Sequence, residues 1–125
     1  MTAKTVLIIA GVLGALSVAI GAFGAHGLAA TLTANGRTET FETAVKYQFY
    51  HTLAIFILGI LMINMPSNMF SYAAYSFIVG IIIFSGSLYT LSITNITWLG
   101  AITPIGGLAF ILGWVFLIMG VSKSL

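Results

Sequence analysis

The first long apolar run of the chain, Thr5–Phe23, reads TVLIIAGVLGALSVAIGAF and carries no charged side chain. Its length is close to the ~20 residues that an α-helix needs to cross about 30 Å of hydrocarbon. In lipid every backbone N–H and C=O must be hydrogen-bonded inside the segment, and the run lacks the alternation of a barrel strand. We therefore predict a transmembrane helix here rather than a signal peptide, whose apolar core is shorter.

Three more runs of this kind follow, at about residues 46–65, 72–91 and 99–121. Hydrophobic residues make up 60% of the chain and charged residues only 5%, against roughly 25% in average soluble domains. So few charges cannot cover the surface of a soluble fold, whereas a bilayer removes that requirement. We predict an all-α integral membrane protein, with residues 1–125 forming a single domain that is a four-transmembrane-helix bundle.

The charge and the residue types exclude several classes of function. The net charge of +2 is small and scattered, which argues against nucleic acid as a partner. The chain has no cysteine, hence neither disulfides nor thiolate metal ligands. No HExxH motif or other diagnostic ligand spacing is present, and no nucleophile has an evident base with an orienting acid. We predict no cofactor and no metal, and we favour a protein that is not an enzyme.

The connection at residues 25–37 is the longest, and its middle, residues 27–32, is expected to form a short interfacial helix. Thr38 is predicted to be the N-cap of the second long helix. Glu42 and Lys46 stand four residues apart near the start of that helix, a spacing that favours an ion pair. We expect this helix to begin in water and to enter the lipid shortly after Lys46.

Orientation depends on very few charges. Four spans place both termini on one side, together with Lys4 and Lys123, while Arg37 and Lys46 lie on the other. This distribution is a tie under the positive-inside rule. The free N-terminal amine and the two glutamates on the opposite side favour cytoplasmic termini.

Small residues recur at helical spacings in the first and fourth runs. The positions that we predict to serve helix packing are Gly14, Ser17, Gly21, Gly106 and Gly113. Small side chains let helix backbones approach closely, and dispersion replaces the hydrophobic effect as the attraction between helices in lipid. The pattern favours packing within one bundle, and a homo-oligomer interface is the alternative.

The intramembrane polar residues converge on one leaflet. In an up-down-up-down bundle the end of the first helix, the start of the second, the end of the third and the start of the fourth share one side. The polar residues at these four places, our candidate ligand-binding residues, are His26, Tyr47, Gln48, His51, Ser85, Ser87, Tyr89 and Thr103. The opposite leaflet receives mainly aliphatic residues, phenylalanine and glycine.

Polar groups at membrane depth are costly unless they are paired, so we expect these side chains to face one another. The predicted network joins His51, Tyr47, Thr103 and a serine from the third helix, with His26 added if the first connection folds back. Three interpretations stay open. They are interhelical hydrogen bonds that only set the packing, a small binding site open to one side, and a catalytic or metal site.

Four motifs resemble a known family of small membrane proteins. They are GAFGAHGL at residues 21–28, FETAVKYQFYH at 41–51, FSGSLY at 84–89 and ITPIGG at 102–107, the last followed by Gly113-Trp114. In this order they resemble domain of unknown function 423, together with the eukaryotic transmembrane protein 256. The resemblance implies a four-span protein of the bacterial inner membrane and supplies no activity.

Our leading hypothesis is a binding or accessory role. The polar leaflet would hold a lipid headgroup, a small solute or a partner membrane protein, and membrane lipid is the partner expected in every case. A small oligomeric channel or transporter is one alternative, and a purely structural membrane subunit is the other. Four narrow helices leave little lumen, so a pore would need several copies.

Overall fold

The computed structural model describes every residue from Met1 to Leu125, and all its secondary structure is helical. The six α-helices are α1 (Ala3–Ala25), α2 (Ala29–Asn35), α3 (Thr38–Asn64), α4 (Asn68–Gly80), α5 (Gly86–Thr94) and α6 (Thr103–Ser124). A π-helical turn, Ile81–Ser85, joins α4 to α5 without a break. A 3-10 turn, Thr97–Ala101, leads into α6.

The predicted fold class is confirmed. Four helical segments are long and apolar enough to cross a membrane, namely Ala3–Ala25, Thr38–Asn64, Asn68–Thr94 and Thr97–Ser124. The short helix α2 lies between the first two, where an interfacial segment is expected. Each span is longer than its apolar run, because a helix continues past the lipid boundary into the polar residues that flank it.

The helix ends follow from local chemistry. The Thr2 side chain accepts a hydrogen bond from the Thr5 backbone N–H and caps α1, and Ser67 caps α4 in the same way. Gly36 (φ 67°) ends α2 and Asn95 (φ 56°) ends α5, both in the left-handed conformation that closes helices.

The predicted N-cap of α3 is wrong by one residue. Thr38 is already the first helical residue, and Arg37 occupies the cap position without a side-chain capping bond. The Arg37 Nε instead donates to Asn95 Oδ1 at 3.0 Å. The guanidinium therefore ties the start of α3 to the end of α5.

Two sets of contacts show which helix ends lie together. At one end of the bundle the Met1 amine donates to Ser71 Oγ at 3.3 Å, which joins the chain start to α4. At the other end Asn35 Nδ2 donates to the Ser92 carbonyl at 3.0 Å, which joins α2 to α5. We call these the terminal end and the α2 end, and they correspond to an up-down-up-down bundle.

The contact between α4 and α6, which continues into the π-helical turn, is built from glycines that pack against phenylalanines. Three of these glycines receive a ring, and Gly106 meets the Phe84 backbone in the turn. The pairs are Gly80 with Phe110, Gly106 with Phe84, Gly113 with Phe77, and Gly120 with Phe70. A Cβ atom on any of these glycines would overlap its partner phenylalanine. The absence of a side chain is therefore what allows the two helices to lie this close.

The contact between α1 and α3 also uses small residues, and its closeness varies along the helices. A Cβ atom at Gly24 would overlap the Phe41 ring and one at Gly59 would overlap Leu7, whereas the fit is looser at Gly14 and Gly21. A Cβ atom at Gly14 would lie 3.6 Å from Thr52 Cγ2, and one at Gly21 would lie 3.3 Å from Val45 Cγ1. Ser17 is buried beside them, and its hydroxyl donates to a carbonyl one turn earlier in α1. The predicted packing residues thus all face neighbours within the chain.

The main apolar core occupies the terminal half of the bundle and the middle. Its buried members are Val6, Ala10, Ala54, Ile55, Leu58, Phe70, Ala73, Ala74, Phe77, Ile81 and Phe110. The outward faces of the four spans carry large exposed apolar side chains, as lipid-facing surfaces do. The polar residues predicted for one leaflet lie toward the α2 end of this core.

Candidate functional site

The structure buries most of the polar residues predicted for the site but not all of them. Those buried between helices are Gln48, His51, Ser85, Ser87 and Thr103. Tyr89 is half-buried, whereas Tyr47 and His26 are exposed on the outside of the bundle. His26 forms the C-cap of α1 and makes no side-chain hydrogen bond to the network, so the first connection does not fold it inward.

Gln48 connects three helices. Its Oε1 accepts a hydrogen bond of 2.6 Å from the Tyr89 hydroxyl, and its Nε2 donates to the Leu13 carbonyl at 3.2 Å. The side chain therefore bridges α5 to α1 from its position on α3. Both functional ends of the amide are satisfied within the protein.

The serines of the third span make two separate contacts. The Ser85 hydroxyl, in the π-helical turn, donates to the Ala44 carbonyl of α3 at 2.7 Å. Ser87 Oγ lies 2.7 Å from Thr103 Oγ1 and links α5 to α6. Residues two apart in a helix point in directions about 200° apart, so these two hydroxyls face different neighbours.

His51 is the central residue of α3, and its ring is held on every side. The ring stacks on Phe110 with centroids 3.6 Å apart, and Nδ1 lies 2.8 Å from the Tyr47 carbonyl. Nε2 lies 3.3 Å from the indole Nε1 of Trp114. Because an indole N–H only donates, Nε2 must accept, which places the proton on Nδ1 of a neutral imidazole.

Trp114 is the residue that the sequence analysis missed. It lies near the middle of α6, far from the headgroup level where tryptophans usually lie. An indole N–H at that depth needs an acceptor, and this requirement is the signal that would have paired it with His51.

The expected network forms only in part, because Ser87 pairs with Thr103 while His51 joins neither of them. His51 makes no hydrogen bond to Ser85, Ser87 or Thr103, and the polar groups form separate contacts between different helices. No buried side-chain nitrogen or oxygen lacks a hydrogen-bond partner. The interior therefore satisfies its own polar atoms, and the assignment of a ligand to the eight candidate residues stays a prediction.

Four cavities lie on the outside of the bundle, three of them against α1. One of these three, about 440 Å³, has a partly polar lining and is bounded by Gly21–Ala25 of α1, Ala29–Thr33 of α2 and Thr38–Lys46 of α3. We call it the α2 cleft. It lies in the same leaflet as the predicted site, but its walls are other residues.

Glu42 and Lys46 are the only charged residues that line the α2 cleft. The ion pair expected between them does not form, since no oxygen–nitrogen distance of 4.0 Å or less joins them. Both side chains are exposed at the cleft. Sequence reasoning noted their spacing but not the cavity, because the cavity exists only once α2 folds back over α3.

Two further cavities border the α2 cleft. One of about 270 Å³ shares Val45 and Lys46 with the cleft and runs between α1 and α3 past Val18 and Phe49. The other, about 460 Å³ and wholly apolar, lies between α1 and α5 and shares Phe41 with the cleft. The fourth cavity, about 420 Å³, lies at the terminal end beside Met1. No three histidine, aspartate or glutamate side chains gather closely enough to hold a metal ion.

Comparison with known proteins identifies relatives of the whole chain. A UPF0382 membrane protein of Staphylococcus haemolyticus is 47% identical over 116 residues, which cover 90% of this chain and 93% of the relative. UPF0382 membrane protein YwdK of Bacillus subtilis is 41% identical over 123 residues, covering 98% and 99%. UPF0382 inner membrane protein YgdD of Escherichia coli is 38% identical over 125 residues, covering 98% and 93%.

The family model described as "Protein of unknown function (DUF423)" matches residues 20–107, which run from the end of α1 to the start of α6. No solved structure shows significant similarity. The matched segment contains every residue that lines the α2 cleft and the Ser85–Ala44, Ser87–Thr103 and Gln48–Tyr89 contacts, whereas Leu13 and Trp114 lie outside it. This chain is an integral membrane protein, and it belongs to the DUF423 family, whose relatives in bacteria carry the name UPF0382 membrane protein.

Proposed function

We propose that this protein binds the headgroup of one membrane lipid in the α2 cleft. The observation that carries the proposal is a cavity of about 440 Å³ in which Glu42 and Lys46 are unpaired. Its volume falls within the roughly 300–1,000 Å³ of typical small-ligand sites. Two unpaired side chains of opposite charge at one cavity can each form a charge-assisted hydrogen bond with a polar ligand that fills it.

The depth of the cleft fits a headgroup. Lys46 is the last charged residue of α3 before the apolar part of the helix. Tyr47 and Tyr50 follow it at once and are 39% and 54% exposed on the outer surface. Exposed tyrosines are enriched where hydrocarbon meets the headgroups, and a lysine at this level extends its ammonium toward water.

The groove below the cleft fits an acyl chain. The cavity of about 270 Å³ begins at Lys46 and extends along α1 and α3, with Val18 and Phe49 on its walls. From Lys46 to Phe49 the helix descends by ~4.5 Å at 1.5 Å per residue. A polar cavity that opens into an apolar groove of this kind matches an amphiphile with one headgroup and at least one chain.

The buried polar contacts support a scaffold role beside this site. Gln48, whose amide bridges α1 to α5 from α3, lies two residues beyond Lys46. Since every buried polar atom is satisfied within the chain, these contacts hold the helices at the distances that leave the cleft open. The lipid would then bind to a preformed cavity.

Native mass spectrometry of the protein released gently from its own membrane tests the proposal. Wild type is expected to retain a species of phospholipid mass. Ala29→Phe places a ring inside the cleft and is expected to abolish retention, whereas Ala30→Phe, on an exposed position that lines no cavity, retains the lipid. Ala25→Leu fills the same cavity from α1 and is the second variant if Ala29→Phe does not fold. Equal retention by wild type and both cleft variants would falsify the proposal.

A further inference from the structure

The two charged groups of the α2 cleft have a fixed relation to each other. Glu42 and Lys46 lie one helical turn apart on α3 and line the same cavity. Side chains at this spacing leave their helix about 5–6 Å apart at Cβ. Other charges near the start of α3 are directed elsewhere, since Arg37 donates to Asn95 and Glu39 does not line the cleft. A ligand in the cleft therefore meets one anion and one cation side by side.

We propose that the α2 cleft selects a phosphoethanolamine headgroup, an inference that rests on the lipid-binding function proposed above. Lys46 donates to the phosphate oxygens, and Glu42 accepts hydrogen bonds from the primary ammonium. These two groups are only two carbons apart in the headgroup, which suits side chains one turn apart. Thr33 and Thr38 line the same cavity and offer hydroxyl donors to the phosphate.

The same two residues disfavour the other common headgroups. A phosphatidylglycerol headgroup offers Glu42 only neutral hydroxyl donors and no cation, so the lipid keeps its net negative charge beside the carboxylate. A choline headgroup brings a cation without an N–H, so it cannot donate a hydrogen bond to the Glu42 carboxylate. Charge-assisted hydrogen bonds are stronger than neutral ones, and this difference is the basis of the selectivity.

An intact lipid and the free headgroup molecule would make the same contacts with Glu42 and Lys46. An apolar groove continues from Lys46 between α1 and α3, and a free headgroup has no acyl chain to fill it. The groove therefore favours the intact lipid as the ligand, because an acyl chain would fill that space and gain dispersion contacts there. Glycerophosphoethanolamine, which carries the same headgroup without acyl chains, is expected not to compete.

The test is competition in mixed micelles that hold equal amounts of phosphatidylethanolamine, phosphatidylcholine and phosphatidylglycerol with identical chains, followed by native mass spectrometry. Wild type is expected to retain phosphatidylethanolamine about tenfold over each competitor, the ratio given by one charge-assisted hydrogen bond of ~1.4 kcal/mol. Glu42→Gln is expected to retain lipid with the preference over phosphatidylcholine lost. Lys46→Gln is expected to lose retention of all three, and Glu39→Gln, on the same helix outside the cleft, behaves as wild type.

The outcomes separate this inference from the lipid site itself. Lipid retention that depends on Ala29 but shows no headgroup preference, or a preference that survives Glu42→Gln, overturns the phosphoethanolamine assignment and leaves lipid binding intact. Displacement of the lipid by an equal concentration of glycerophosphoethanolamine overturns the lipid as the source. Circular dichroism of each variant serves as the control for the helical fold. Lipid retention by the Ala29→Phe protein equal to that of wild type overturns both the lipid site and the phosphoethanolamine assignment.

Discussion

The α4–α6 contact and the α1–α3 contact both use glycines but differ in how evenly the glycine positions are filled. In the first contact, which continues into the π-helical turn, all four glycines are closed by phenylalanine residues, and Phe70 and Phe77 are fully buried. In α1–α3 Gly24 and Gly59 are closed by Phe41 and Leu7, whereas Gly14 and Gly21 face a threonine and a valine that leave more room. Cavities flank α1 on both sides, and no cavity is lined by α6.

The difference separates two structural roles. The α4–α6 contact is close-packed and leaves no space for a ligand between the two helices, so its role is to stabilise the bundle. The α1–α3 contact leaves space that α2 converts into a cleft with charged walls. Polar contacts that start on α3, such as His51 with Trp114 and Gln48 with Tyr89, join the two pairs of helices.

Gly106→Ala tests the tight contact and has the largest expected effect. The new Cβ would lie 2.8 Å from the Phe84 Cα, and a backbone cannot move aside as a ring can. We expect a loss of about 3 kcal/mol in the free energy of unfolding, the upper range for overpacking, measured by SDS titration in detergent micelles. Gly107→Ala, which meets no atom within 4 Å, is the matched control and should be neutral or slightly stabilising. Equal stability of the two variants would show that α6 has room to move.

His51→Leu tests the link between the two pairs of helices. It keeps an apolar side chain of similar size and leaves the Trp114 N–H without an acceptor in lipid. We expect a loss of about 1–2 kcal/mol in the free energy of unfolding. A double-mutant cycle with Trp114→Phe should return a coupling of ~0.6–1.7 kcal/mol. A coupling of zero would mean that His51 and Trp114 stabilise the bundle by separate packing contacts and not by their hydrogen bond.

Tyr89→Phe removes one interhelical hydrogen bond and little volume. The Gln48 Oε1 loses its 2.6 Å donor, and residue 89 then contacts α3 only through its ring, which packs on Phe41. We expect a loss of ~0.6 kcal/mol, the average for such bonds in membrane proteins. Tyr75→Phe, at an exposed position on α4, is the control and should leave the free energy of unfolding unchanged. A loss above ~2 kcal/mol would indicate that Gln48 collapses without its donor.

Gly21→Ala tests an open glycine position of the α1–α3 contact and has the smallest expected effect. The new Cβ would approach only the Val45 Cγ1, at 3.3 Å, and a methyl group can yield by a few tenths of an ångström. We expect a change within ~0.5 kcal/mol in the free energy of unfolding. Gly11→Ala, which meets nothing within 4 Å, is the control. If Gly21→Ala costs as much as Gly106→Ala, the contrast between the two contacts is wrong.

Much of the fold was predictable from the order of residues. Apolar runs whose length matches a bilayer predict the four spans, the short α2 between them and the membrane location. In lipid each backbone must form its hydrogen bonds within its own segment, which requires helices. The gathering of polar residues toward the α2 end was also predictable, because consecutive spans run in opposite directions and bring their polar ends to the same side. The packing glycines followed from their spacing, although their partners, such as Phe84 for Gly106, did not.

The candidate site was less predictable, and Glu42 and His51 show why. The sequence by itself determined that both lie near the α2 end and that buried polar atoms must be paired. Only the tertiary structure decided that His51 pairs with Trp114 and that Glu42 lines a cleft without its expected ion pair. Such outcomes depend on helix rotations and on shifts of one or two ångströms, which set whether two groups reach a hydrogen-bond distance. Spacing along one helix does not contain that information, because it arises from the packing of several helices together.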